Sequence, residues 1–178
     1  ITSLQKADSI HCYGSEFDVW LAKDNKLVVN HDPVYKMKYM EYSKGDALTG
    51  LKLSNGENLP SLQKYLEAGK KCNTKLILEL KAHNSKKRET KAVQEILAMV
   101  KKMGLEDRME YITFSLHAMK EFIRLAPAGT PVFYLNGELS PKELKDLGAA
   151  GLDYHMGVIK KHPEWIKEAH DLGLKVNV

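Results

Sequence analysis

Glu16 and Asp18 stand two residues apart in Ser15-Glu16-Phe17-Asp18-Val19, and residues so spaced on a strand project from one face. Two neighbouring carboxylates need a compensating charge. An oxygen-preferring divalent cation, Mg2+ or Ca2+, supplies it. Glu79 and Lys81 repeat the spacing in Leu76-Ile77-Leu78-Glu79-Leu80-Lys81, and a carboxylate in so apolar a stretch is seldom buried unless it is paired or ligating. An ion pair between Glu79 and Lys81 is the competing reading, and the spacing of two along one strand counts against it. His31 follows the apolar run Leu27-Val28-Val29, and an imidazole gives and takes protons near neutrality because its unperturbed pKa is about 6.5. Taken alone, Glu16 and Asp18 fit a solvated strand face equally well, and His31 fits the start of a turn with Asp32 and Pro33. In combination, three carboxylates, a lysine and a histidine amount to a metal site, an anion clamp and a proton donor.

These residues need rigid elements to hold them. Phe17, Val19 and Leu21 alternate with Glu16, Asp18 and Trp20, and Leu27 to Val29 forms a second short apolar run, so two strands are expected. Too few residues separate them for a parallel crossover, which makes an antiparallel hairpin. A two-residue turn at Asp24-Asn25 would set Asp18 opposite His31. The stretch from about 32 to 60 has no sustained period and reads as a long loop or small insertion. Ser61 then caps a helix through Lys71, followed by a strand from Lys75 to Leu80. The alternation continues with a helix from Arg88 to Met103 ended by Gly104, a strand from Glu110 to Phe114 and a helix from Ala118 to Ala126. A strand from Val132 to Leu135, a helix from Pro141 to Leu147, a strand from Leu152 to Tyr154, a helix from Glu164 to Leu172 and a strand from Lys175 onward complete it. Strands alternating with helices imply a parallel sheet. Ile1, Leu4 and Ala7 keep helical spacing with no start signal before them, so a strand is expected upstream of Ile1. Added to the seven candidates in the sequence, it would complete an eight-stranded (β/α)8 TIM-type barrel of α/β class, in which the carboxyl ends of the strands carry the active site.

With 178 residues, 43% of them hydrophobic, the chain suffices for one core and reads as a single domain over 1–178. It is short for a closed (β/α)8 barrel, which typically takes about 250 residues, and so reads as a fragment. The 27 basic and 23 acidic residues give a net charge of +4. The basic residues are dispersed, and no nucleic-acid-binding signature accompanies them. Cys12 and Cys72 lack the spacing of a zinc site or a disulfide framework. No apolar run approaches the ~20 residues of a transmembrane helix. Any leader would precede Ile1, so cytoplasmic and envelope or secreted locations are both compatible, and the sequence sets no oligomeric state.

The motifs Glu16-Phe17-Asp18-Val19, Lys23-Asp24, Val28-Val29-Asn30-His31-Asp32, Leu59-Pro60-Ser61-Leu62 and Leu78-Glu79-Leu80-Lys81, in this order and spacing, resemble the glycerophosphodiester phosphodiesterases. The resemblance runs over nearly all of the chain. Thr113-Phe114 stands where that family commonly has Ser-Phe. The resemblance implies a barrel in which Glu16, Asp18 and Glu79 hold the divalent metal, Lys81 contacts the phosphate and His31 is one of two catalytic histidines. The family's His-Arg-Gly motif would lie before Ile1, and its closing Trp-containing segment after Val178. The implied substrate is a small glycerophosphodiester, cleaved to glycerol 3-phosphate and an alcohol. In the implied scheme the neighbouring glycerol hydroxyl attacks phosphorus, water opens the cyclic phosphate, and His31 first protonates the leaving alcohol.

Two other readings fit the same residues. One is a lysophospholipase D-like or sphingomyelinase D-like lipid phosphodiesterase, which an exposed apolar rim around the 32–60 stretch would favour. The other is a non-catalytic binding barrel that keeps the fold and the metal. Tyr134 and His155 end strands and are possible pocket residues. His83, His117, His162 and His170 read as exposed positions without a role, and Met99 and Met103 as part of a buried helix stripe.

Overall fold

The structure, a computed structural model, describes residues 1–178. Helix α1 (Thr2–Ser9) leads into strand β1 (Gly14–Leu21), which turns back as β2 (Leu27–Val29). A two-stranded sheet of β3 (Val34–Tyr35) and β4 (Lys38–Tyr39) follows, then a short helix α2 (Gly45–Thr49). Strands and helices then succeed one another: α3 (Leu62–Gly69), β5 (Lys75–Leu80), α4 (Lys86–Met103), β6 (Met109–Thr113), α5 (Leu116–Leu125), β7 (Val132–Tyr134), α6 (Pro141–Leu147) and β8 (Gly151–Asp153). Helices α7 (Met156–Lys161) and α8 (Glu164–Asp171) precede the last strand, β9 (Lys175–Asn177).

Four of the helices, α3 to α6, start where a serine can satisfy free backbone N–H groups. Ser61, Ser85 and Ser115 accept from Lys64 N, Arg88 N and Ala118 N, and Ser140 forms a reciprocal capping box with Glu143. Gly104 and Gly148 end α4 and α6 in the left-handed conformation that other residues avoid. Helix α7 was not expected from the sequence. It occupies six residues, too short for an apolar period to declare itself.

The main sheet has the order β2-β1-β5-β6-β7-β8-β9. Strand β2 pairs antiparallel with β1 at the edge, and the other neighbours are parallel. The seven expected strands are thus present, but only six of them run in one direction. Their order never reverses, so right-handed crossovers place the intervening helices on one side. This is the winding of a (β/α)8 barrel rather than of a doubly wound sheet.

Period-two alternation then sorts side chains between the two faces. Phe17, Val19, Leu21, Leu76, Leu78, Leu80, Tyr111, Val132, Tyr134 and Leu152 belong to the core shared with the helices. Within it Tyr111 stacks on Phe122 at 4.4 Å and Phe17 on Tyr65 at 4.1 Å. Glu16, Asp18, Glu79, Glu110 and Asp153 take the alternate positions on the face away from the helices.

The 32–60 stretch contributes to a second, smaller core. Met40, Leu48 and Leu59 bury against Trp20, Ala22 and Val28 of the first hairpin. Gly45 is required at its edge, because a Cβ there would come within 2.5 Å of the Lys26 side chain.

Candidate active site

The first hairpin decides where His31 lies. Ala22 N donates to Lys26 O at 2.8 Å, leaving a three-residue loop of Lys23, Asp24 and Asn25, with Asn25 at φ 64°. The pairing is Val19 to Val29, and Asn30 N donates to Asp18 O at 3.0 Å. The expected placement of Asp18 opposite His31 is therefore off by one residue. A two-residue turn would force both Asp24 and Asn25 into the left-handed region, whereas the longer loop needs only Asn25, which tolerates it. His31 consequently leaves the sheet just beyond Asn30. Its side chain is 77% exposed, with Nδ1 2.9 Å from Asp32 Oδ1. That hydrogen bond, with help from the Asp18 charge and against opposition from Lys81, holds the imidazole above its ordinary pKa.

The parallel register between β1 and β5 sets Asp18 beside Glu79 and Glu16 beside Ile77. One carboxylate oxygen from each of Glu16, Asp18 and Glu79 lies within 4.8 Å of the others. Lys81 Nζ sits 2.6 Å from Asp18 Oδ1 and 2.9 Å from Glu79 Oε1. The ion pair that the spacing of Glu79 and Lys81 argued against is therefore present, because the four-carbon lysine stem is long enough to fold back over both strands. At these distances the Lys81 ammonium donates to both buried carboxylates.

One ammonium among three carboxylates leaves two negative charges uncompensated when all are ionised. Loss of solvation around the Glu16 carboxyl, reinforced by Asp18 and Glu79, pushes its pKa up to about 7. Desolvation likewise raises Glu79, against the pull of Lys81. Burial alone would lower Lys81, but Asp18 and Glu79 outweigh it and the net shift is upward. Three crowded carboxylates with a single ammonium among them suit a hard divalent cation, and the donor set fits such an ion.

Two supporting residues escaped the reading of the sequence. His83, expected to be exposed and idle, is half-buried. Its Nε2 accepts from Leu21 N at 2.9 Å and its Nδ1 lies 2.7 Å from Lys81 O, so the neutral ring braces the backbone that carries Lys81 against β1. Burial holds its pKa below the usual value, which preserves that neutral form. Arg88 donates to Leu21 O at 2.9 Å, Ala22 O at 2.7 Å and Asn25 Oδ1 at 2.7 Å, clamping the hairpin that presents His31. Nothing in the local sequence signals either role, because both partners lie more than 60 residues away.

Tyr134 and His155 do not join the site. Tyr134 is buried in the helix-facing core with its hydroxyl bonded to Glu138, since its strand position faces outward. His155 is exposed and caps α7 by accepting from Gly157 N at 3.0 Å.

A sequence model described as the Glycerophosphoryl diester phosphodiesterase family matches residues 1–178. Comparison with curated proteins finds no match. Among solved structures, a glycerophosphodiester phosphodiesterase from Parabacteroides distasonis is 50% identical, with a TM-score of 0.97 over 99% of this chain and 74% of that one. An Oleispira antarctica phosphodiesterase, solved in complex with the product sn-glycerol-3-phosphate, is 20% identical with a TM-score of 0.82, over 98% of this chain and 75% of its own. A glycerophosphodiester phosphodiesterase from Thermotoga maritima is 19% identical with a TM-score of 0.72, over 98% and 76%. The last two likenesses speak for the fold.

Proposed function

Because the chain belongs to the glycerophosphoryl diester phosphodiesterase family and is a glycerophosphodiester phosphodiesterase of TIM-barrel type, we propose that Glu16, Asp18 and Glu79 hold a divalent cation for the reaction, that Lys81 receives the phosphate and that His31 is the proton donor. The observation that carries this is the convergence of three carboxylate oxygens within 4.8 Å with one ammonium among them. A bound divalent ion would neutralise charge growing on the phosphoryl oxygens and lower the pKa of an adjacent hydroxyl.

The chain's own residues supply the rest. Lys81 touches Asp18 and Glu79, two of the three residues that would hold the cation, so its ammonium is placed to meet a phosphoryl oxygen beside them. Its partly enclosed position strengthens that contact over one made in bulk water. His31 stands at the end of the hairpin with a freely exposed ring. The Asp32 bond keeps it protonated to higher pH, which suits a group that must give a proton to a departing alcohol near neutrality. His83 and Arg88 act through others, as positioning residues for Lys81 and the hairpin.

The test is release of glycerol 3-phosphate from glycerophosphocholine and glycerophosphoethanolamine by the complete enzyme, with and without chelator, beside Glu79→Ala. Release that needs Mg2+, Ca2+ or Mn2+ and disappears with Glu79→Ala supports the assignment. Undiminished release after exhaustive chelation would remove the cation from it.

A further inference from the structure

The 32–60 stretch opens with a hairpin that the reaction does not require. Strands β3 and β4 pair through Val34 with Tyr39 and Tyr35 with Lys38, so only Lys36 and Met37 form the turn. Both lie in the left-handed region, Lys36 at φ 45° and Met37 at φ 61°. Two-residue turns of this kind normally use glycine or asparagine there, because a side chain is strained in that conformation. Met37 is also 95% exposed, the most exposed of the large hydrophobic residues. Strain and exposure coincide at Met37, while Met40 and Tyr35 packed below hold the hairpin in place, so the fold uses its packing to present an apolar tip to the outside.

The two faces of the hairpin differ. Tyr35 packs on the smaller core and donates its hydroxyl to Lys52 O at 3.0 Å. Met40, fully buried, anchors the base. On the opposite face Val34 and Tyr39 are exposed, and Tyr39 meets the equally exposed Tyr42 edge-on at 6.1 Å. Lys36 at the turn, Lys38 on the Tyr35 face and Lys44 beyond the second strand are all exposed. The one acidic residue between them, Glu41, is turned inward to accept from Asn84 N at 3.1 Å. Asn84 also donates to Tyr42 at 3.2 Å. Since Asn84 follows Lys81 by three residues, the hairpin stands on the same rim as the active site. Phe114 and Met156, just past the carboxyl ends of β6 and β8, are exposed on that rim as well.

We propose that the β3–β4 hairpin docks the enzyme on the surface of a phospholipid bilayer containing anionic lipid, with Met37 entering the interface, Tyr39 and Tyr42 at headgroup depth, and Lys36, Lys38 and Lys44 against lipid phosphates. Charge complementarity selects this occupant, because an apolar tip with exposed lysines beside it matches an interface that is apolar within and negative outside. Tyrosine suits that boundary through its apolar ring and polar hydroxyl. The docked orientation would turn the active-site rim toward the bilayer. The proposal concerns binding, and rests on the catalytic assignment only for its control.

The experiment is co-sedimentation of the complete enzyme with vesicles of phosphatidylcholine alone and of phosphatidylcholine mixed with phosphatidylglycerol, alongside turnover of soluble glycerophosphocholine. Wild type should bind the mixed vesicles, lose binding as salt rises, and leave neutral vesicles largely in solution. Met37→Asn removes the apolar tip with a residue that accepts the left-handed turn, so its Tm should hold or rise. Its affinity for mixed vesicles should fall roughly 10-fold with soluble turnover unchanged. Lys36→Gln with Lys38→Gln should weaken mixed-vesicle binding roughly 30-fold, at about 5-fold per lysine. No binding by wild type, equal binding to neutral vesicles, or wild-type binding by Met37→Asn would overturn the proposal. So would a concentration-dependent dimer abolished by Met37→Asn, or a raised KM for the soluble substrate in Tyr39→Ala without vesicle binding. Loss of turnover in every variant and in wild type would instead indict the catalytic reading, because sedimentation does not depend on it.

Discussion

The crowding of Glu16 by Asp18 and Glu79 should tie binding of the proposed cation to pH. With its pKa pushed up to about 7, Glu16 is mostly protonated at about pH 6 and mostly ionised at about pH 8. A ligand that needs the ionised form should therefore bind about tenfold more weakly at the lower pH, through this one group. The raised Glu79 steepens the dependence in the same direction. The sign also governs the cation-free protein. Unfolded, Glu16 loses its proton near 4.5, but folded it keeps it up to about 7. Without the cation, stability should thus decline as pH rises through that window, and added cation should reverse the decline. Calorimetric titration with Mg2+ or Ca2+, in two buffers of different ionisation enthalpy, measures affinity and proton release together. Binding near pH 6 should release most of one proton from Glu16. Glu16→Gln should remove that release and flatten the pH dependence while weakening affinity at about pH 8. Affinity constant from pH 6 to 8 with no proton released would refute the view that Glu16 is a ligand whose proton the cation displaces.

Replacing His31 by Ala should lower turnover by about 100-fold or more, the usual contribution of a positioned acid, while cation affinity measured by calorimetry stays nearly constant. Equal loss of both would remove the proton-donor role. Asp32→Asn takes away the bond that holds the His31 pKa up, so the alkaline fall in kcat/KM should move to lower pH, as a pH–rate profile will show. Gly151→Ala would bring a Cβ within 2.0 Å of Lys175 O in the adjoining strand. Urea denaturation should register a loss of more than about 2 kcal/mol or no folded protein.

The parts of this molecule that follow local rules were readable before the fold was known. Alternation at Phe17, Val19 and Leu21 against Glu16 and Asp18 assigned the faces of β1 correctly, and Ser61 and Gly104 marked helix ends where the structure has them. The grouping of Glu16, Asp18 and Glu79 is expected from their residue types and from the family resemblance, and the β1–β5 register brings their carboxylates together. The hairpin register was not legible, because it turns on whether Asn25 alone or Asp24 as well adopts the left-handed conformation. A single residue of difference moved His31 off the sheet. Strands β3 and β4 escaped notice since Lys36 and Met37 are poor turn formers, and the energy holding them there comes from Met40 and Tyr35 packing below. The braces at His83 and Arg88 depend on partners distant in the chain, which no local pattern discloses.

The chemistry of this site and its reach into the surroundings are separable by construction. Asp18 and Glu79 are adjacent because β1 and β5 lie side by side, and the whole 32–60 excursion leaves after β2 and rejoins at the start of α3. It is pinned to the frame at a few points, among them Lys23 N to Ser43 O and Gly45 N to Asp24 Oδ1. Lengthening such an excursion adds little to the entropy of closing it. Related enzymes can therefore exchange this segment entire, acquiring a different substrate range or a different cellular address, while the carboxylates keep their positions. Diversification in such a lineage should show as wholesale turnover of one segment beside a nearly frozen pair of strands.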